Sequence, residues 1–133
     1  MRPKPSAAEL LETARKTLRG DLLSQLPEER RYEVLMAANA IAIAGRVLER
    51  GDAPEREELE SLARLMDEKD PAIQADPAMM RARLGILYGR LCDELRRGKI
   101  VPGTERHRAV FAHLRQTTLD RLRESNPKAL PGG

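Results

Sequence analysis

Apolar residues recur along this chain at three- and four-residue intervals, and breakers cut the pattern into five stretches. Leu11, Ala14, Leu18 and Leu22 follow Ser6 and Glu9, which have capping-box spacing, and predict a first helix over 7–25 whose last turns Gly20 weakens. Pro27 opens a second helix over 28–50, and Gly51 stands where a left-handed cap would close it. Asp52 and Glu55 repeat the capping-box spacing ahead of Leu59, Leu62, Leu65 and Met66, giving a third helix over 54–69 that Pro71 stops. Asp76 and Pro77 start a fourth over 77–97, with an apolar stripe of Leu84, Leu87, Leu91 and Leu95 and a stop at Gly98. Thr104 caps a fifth over 105–124, ended by Asn126 and Pro127. No stretch carries the two-residue period of a strand. The predicted fold class is all-α: a compact five-helix bundle forming one domain over 1–127, with a loosely held tail over 128–133.

The second helix stands apart. At 100° per residue, Val34, Ala37, Ile41, Ala44 and Leu48 share one face, while Leu35, Met36, Ile43 and Val47 lie opposite. A helix apolar on both sides is expected at the centre of a bundle. Its alanines and Gly45 make it thin, and Gly85 and Gly89 on the fourth helix suggest a second place where backbones approach closely. Tyr32, Asn39 and Arg46, seven residues apart, form a polar seam in this apolar wall. Such a seam is either a register-fixing buried contact or the lining of a pocket, with Arg46 as an anion anchor. In the pocket reading it edges a groove between the second and fifth helices, together with His113 and Arg115.

Composition narrows the field. Three aromatics (Tyr32, Tyr88, Phe111) among 133 residues leave the core to aliphatic side chains. A single cysteine closes no internal disulfide, and with two scattered histidines it offers no zinc spacing. A reducing, cytoplasmic setting follows as the expectation. The opening Met1 to Pro5 is polar and charged, and the longest apolar run, 40–45, is far short of the about 18 residues of a membrane span.

The net charge of +3 conceals two opposed segments: residues 52–70 hold eight acidic and three basic side chains, and residues 81–108 hold eight basic and three acidic. Mutual attraction of neighbouring helices accounts for both. The basic stretch also offers a candidate patch, Arg83, Arg90 and Arg97. Spacing to Glu94 partly neutralises that patch, and no aromatic platform accompanies it, which counts against nucleic acid.

Catalytic patterns are missing. A di-iron carboxylate site needs Glu-x-x-His, but Thr104 and Val110 occupy the position three before His107 and His113. Cys92, at the margin of the fourth helix's stripe, is expected to be a buried small hydrophobe. His107 falls with Val110, Phe111 and Leu114 and is expected at a core boundary, with His113 facing solvent. No phosphate loop or nucleophile elbow is present, so neither a cofactor nor a metal is expected. Ile86 and Leu119 lie outside their helices' main stripes and suggest an oligomer or partner surface.

Four segments carry a resemblance: RPKPSAAELLETARKTL over 2–18, VLMAANAIAIAGRVLE over 34–49, LCDELRRGKI over 91–100 and HLRQTTLDRLRESNPKAL over 113–130. In these the chain resembles an uncharacterised bacterial family of small all-helical proteins, commonly encoded beside aminoglycoside-phosphotransferase-like kinases and acyl-CoA dehydrogenases. The resemblance implies an accessory protein without catalytic residues, docking on or regulating such a system. The alternative from the residues themselves is a binding protein or enzyme for a small anionic ligand, an acyl-CoA or phosphate compound, using the Tyr32–Asn39–Arg46 seam. Nucleic-acid binding through the basic fourth helix stands third.

Overall fold

The computed structural model describes residues 4–68, 76–130 and 132, and among these it is helical without strands. Five helices carry the chain: α1 (Ala7–Thr17), α2 (Glu28–Arg50), α3 (Ala53–Leu65), α4 (Pro77–Arg96) and α5 (Glu105–Ser125). They pack as two compact units, Met1–Gly51 with Leu122–Gly133, and Asp52–Arg121.

In the first unit, the Ser6–Glu9 capping box forms as expected. The Glu9 backbone N–H donates to Ser6 Oγ at 3.3 Å, and the Ser6 N–H donates to the Glu9 carboxylate at 2.6 Å. The predicted single helix over 7–25 is instead interrupted: Leu18–Leu22, around Gly20, is π-helical before a last short turn, Leu23–Gln25. α1 lies along α2, where Ala8 and Leu11 face Ile41, Ala42 and Gly45.

The expectation that α2 is enclosed on both sides fails. Among the described residues Ala38 alone is buried on it, while Tyr32, Leu35, Met36, Val47 and Leu48 are exposed. Gly51 ends the helix at φ +57°, ψ −147°, a conformation that a side chain makes costly, and its N–H bonds the Val47 carbonyl. The remainder of this unit is the end of α5 and a 3-10 turn, Pro127–Ala129, which runs into the segment over 128–133 expected to be a loose tail.

The second unit holds the core. Leu59, Leu62, Ala63 and Met66 from α3 meet Met80, Leu84, Leu87 and Leu91 from α4, Val110 from α5, and Ile100 from the intervening turn. Three- and four-residue spacing puts each set on one helix face, and every fully buried leucine contributes about 1.5–3 kcal/mol. Leu95, expected in the α4 stripe, is exposed, and so is Cys92, which is therefore not the buried hydrophobe expected. A methyl group added at Gly85 or Gly89 would meet no neighbouring atom within 4 Å, so no close backbone approach occurs there.

Caps decide where these helices stop. Asp76 accepts from the Ala78 N–H at 2.8 Å. Asp52 does not cap α3 as its spacing suggested; it and Glu55 face Arg81 of α4 instead, at 3.8 and 3.0 Å. α4 closes with Gly98 at φ +67°, where the Lys99 N–H bonds the Glu94 carbonyl and the Gly98 N–H bonds that of Leu95, a Schellman motif.

α3 closes the same way, ahead of the expected end at Lys69, which with Pro71 lies outside the described residues. Its left-handed position is Asp67 at φ +54°, with Glu68 N–H to Ala63 O and Asp67 N–H to Arg64 O. A side chain there is strained, so Asp67→Gly is expected to raise the unfolding free energy by about 0.5–1 kcal/mol in urea denaturation.

Candidate functional site

The Asp67 turn delivers Glu68 to α4, where both Arg83 and Arg90 pair with its carboxylate. Their charges hold Glu68 below the usual carboxylate range, the Arg90 hydrogen bond first. Two of the three arginines expected to form a basic patch are therefore bound to this unit's own acid, and Arg97 is exposed. Glu94 likewise pairs with Arg106 of α5 at 2.7 Å rather than with Arg90 and Arg97. Arg106 also donates to the Leu65 carbonyl at the end of α3. The acidic segment and the basic one are thus joined in pairs, as their opposed charges suggested.

A polar relay runs beside the core. Glu58 and Ser61, three apart, share a face of α3; His113, Thr117 and Arg121, four apart, share a face of α5; Tyr88 comes from α4. Arg121 bonds Glu58 at 3.0 Å, Tyr88 Oη lies 2.5 Å from Glu58 Oε1 and 3.0 Å from His113 Nε2, and His113 Nδ1 lies 2.9 Å from Ser61 Oγ. Earlier residues of α3 meet later residues of α5, so the two helices run antiparallel.

Proton positions follow from chemistry. A carboxylate paired with arginine only accepts, so the Tyr88 hydroxyl donates to Glu58. The Tyr88 oxygen then accepts from His113 Nε2–H, which leaves Nδ1 of the neutral ring as an acceptor for the Ser61 hydroxyl. Burial pushes His113 below the ordinary imidazole value; the Glu58 charge opposes this and Arg121 adds to it. Burial, then the Glu58 hydrogen bond, pushes the Tyr88 hydroxyl well above the ordinary phenol range.

His113 is 5% exposed, so the expectation that it faces solvent is reversed. His107 is partly buried, as expected at a core boundary, with its ring tilted against that of Phe111 at a centroid distance of 4.6 Å, whereas Phe111, expected on the same apolar face, is exposed. The reason is the orientation of α5, whose buried face is Val110, His113 and Thr117, two of them polar. Hydropathy alone placed the face one position round, on Val110, Phe111 and Leu114. The only sequence signal for the relay was the four-residue spacing of His113, Thr117 and Arg121. Ser61 and His113 line an open groove of about 800 Å³ between α3 and α5, with Arg64, Leu65, Arg106 and Gln116.

The other expected site residues are differently placed. Tyr32 and Asn39 are exposed, so the seam is not a buried polar contact. Arg46 lines a cleft of about 340 Å³ between α1 and α2, but its Nε donates to the Glu124 carbonyl at 2.5 Å, and Arg50 pairs with the Glu124 carboxylate at 3.2 Å. Cations and donors there satisfy the carbonyl end of α5. Tyr32, Asn39 and Arg46 belong to the first unit, and His113 and Arg115, the latter exposed, to the second. Among the described residues no three His, Cys, Asp or Glu side chains gather to hold a metal ion, and no helix is long and apolar enough to cross a membrane.

A family model for a domain of unknown function, DUF6285, matches residues 24–129. The chain belongs to this family. The match takes in α2 through α5 and so includes every residue of the relay. No curated protein and no solved structure matches the chain.

Proposed function

We propose that this DUF6285 chain is a helical accessory module that docks on a kinase-like phosphotransferase working with an acyl-CoA dehydrogenase. The observation that supports docking is the outer face of α2. Tyr32, Leu35, Met36 and Val47 are 39–71% exposed and fall, with Asn39 between them, on one side of the helix. A stripe of this kind fits the helix-in-groove mode of recognition, with anchors at three- and four-residue spacing and an amide to fix register. The partner class comes from the gene company that the family resemblance implies. The anionic-ligand reading is weakened by the commitment of Arg46 to the Glu124 carbonyl, and the nucleic-acid reading by the pairing of Arg83 and Arg90 with Glu68.

Co-expression with a phosphotransferase of the aminoglycoside-kinase type that the family resemblance implies, followed by co-purification, tests the proposal. A complex is expected, and Met36→Asp or Val47→Asp is expected to weaken it at least about 30-fold while leaving the melting temperature unchanged. No complex at micromolar concentrations, with both proteins folded, overturns it.

A further inference from the structure

A buried histidine needs only two hydrogen-bond partners, and backbone carbonyls or water commonly supply them. In the second unit of this chain the two partners are of different kinds. Nε2 faces a phenol oxygen held by a carboxylate, inside the protein, whereas Nδ1 faces the hydroxyl of Ser61, and that hydroxyl belongs to a residue lining the α3–α5 groove. Glu58 and Tyr88 therefore select the ring tautomer that presents a lone pair to Ser61. A serine hydroxyl becomes a useful nucleophile when an adjacent base accepts its proton and a further group orients that base. All three parts are present here, spread over three helices fixed by the core of the unit.

We propose that Ser61 is a nucleophile for acyl transfer from an activated acyl ester or thioester bound in the α3–α5 groove, with His113 as its base. Ser61 Oγ bonds to the acyl carbon while its proton passes to His113 Nδ1. The carbonyl is restored as the bond to the leaving alcohol or thiol breaks, and the proton on Nδ1 goes to that leaving group. Water then attacks the acyl-serine, giving a proton to Nδ1, which returns it to Ser61 Oγ as the acid departs. Ester and water thus become acid and alcohol, and both side chains end as they began.

Arg64, three residues beyond Ser61, lines the same groove; its guanidinium is exposed and makes no ion pair among the described residues, so it is the cation at hand for the developing oxyanion. Tyr88 and Glu58 are positioning residues, acting through His113. This chemistry uses α3 and α5, and its success or failure is independent of docking through α2.

The full chain, incubated with a fluorophosphonate probe and separately with p-nitrophenyl acetate, tests the proposal by peptide mass spectrometry and by nitrophenol release. A single adduct on Ser61 is expected, lost in Ser61→Ala. Its rate should rise with pH as His113 loses its proton, below the ordinary imidazole range, and be level by neutrality. Ser61 and Glu58 from α3, Tyr88 from α4 and Arg121 from α5 act on that ring, and Arg64 and Asp67 from the end of α3 and Glu105 and Arg106 from α5 line the groove beside it. Tyr88→Phe, which keeps the ring and removes the tautomer lock, is expected to lower the rate at least about 10-fold with the helical fold intact. Folded protein that yields no Ser61 adduct overturns the proposal. So does an adduct whose rate is independent of pH, a result read on the unmutated chain whether or not Tyr88→Phe folds.

Discussion

Leu62→Ala is expected to lower the unfolding free energy by about 3–5 kcal/mol, as befits a leucine with no exposed surface. Leu62 is 0% exposed and sits among Leu59, Ala63 and Met66 of its own helix and the α4 leucines. Its removal forfeits both the transfer free energy of the lost methyls and the contacts of the atoms left lining the void. The core is small and wholly aliphatic, and its neighbours are held by three helices at once, so the site has little freedom to collapse. Against a typical total of about 5–15 kcal/mol, the loss leaves the second unit marginal. Urea denaturation followed by circular dichroism checks it. Ile86→Ala on the exposed side of α4 is the internal comparison, with a change below about 0.5 kcal/mol.

The second large effect lies in the relay. Glu58→Ala is expected to cost about 2–3 kcal/mol, because it removes the acceptor of the Tyr88 hydroxyl together with a carboxylate that pairs with Arg121, and the phenol is left half-buried without that bond. The relay also makes stability fall in mild acid. His113 binds a proton less readily folded than unfolded, so below its ordinary value of 6.5 the unfolded chain takes up a proton that the folded one resists. The stability is complete above that value and declines as pH falls from it toward the depressed folded value. Urea midpoints taken at descending pH in wild type and His113→Gln separate this contribution, since the variant should lack the slope in that window. A slope unchanged by the substitution would assign the acid sensitivity to other groups.

The helices were readable because their ends are written in local chemistry. Ser6 with Glu9, Asp76 with Pro77, Gly51 and Gly98 act on their own backbone neighbours, and all four behave as their types require. Asp52 shows where local reading stops: its spacing to Glu55 is that of a cap, but Arg81 on another helix competes for both carboxylates. Asp67 shows the converse, a left-handed cap position filled by a residue that did not announce it.

The site was less legible. The four-residue spacing of His113, Thr117 and Arg121 is visible in the chain, but it reads as a polar face turned to solvent until Ser61, Tyr88 and Glu58 are seen across from it. The α2 seam misled for the same reason. Tyr32 and Asn39 in an apolar setting imply burial only if another element covers them, and they are exposed.

By itself, then, the sequence determined an all-helical chain, its five segments, an aliphatic core and the pairing of an acidic segment with a basic one. Each of these follows from periodicity, capping or charge acting over a few residues. Only the tertiary structure decided which face of each helix is covered, and with it that His113 is inside, that Cys92 is outside, and that a serine, a histidine, a tyrosine and a glutamate share their protons. Hydropathy ranks faces by apolar content, whereas burial is set by what packs opposite, and a polar group whose hydrogen bonds are all met can be buried as readily as a leucine.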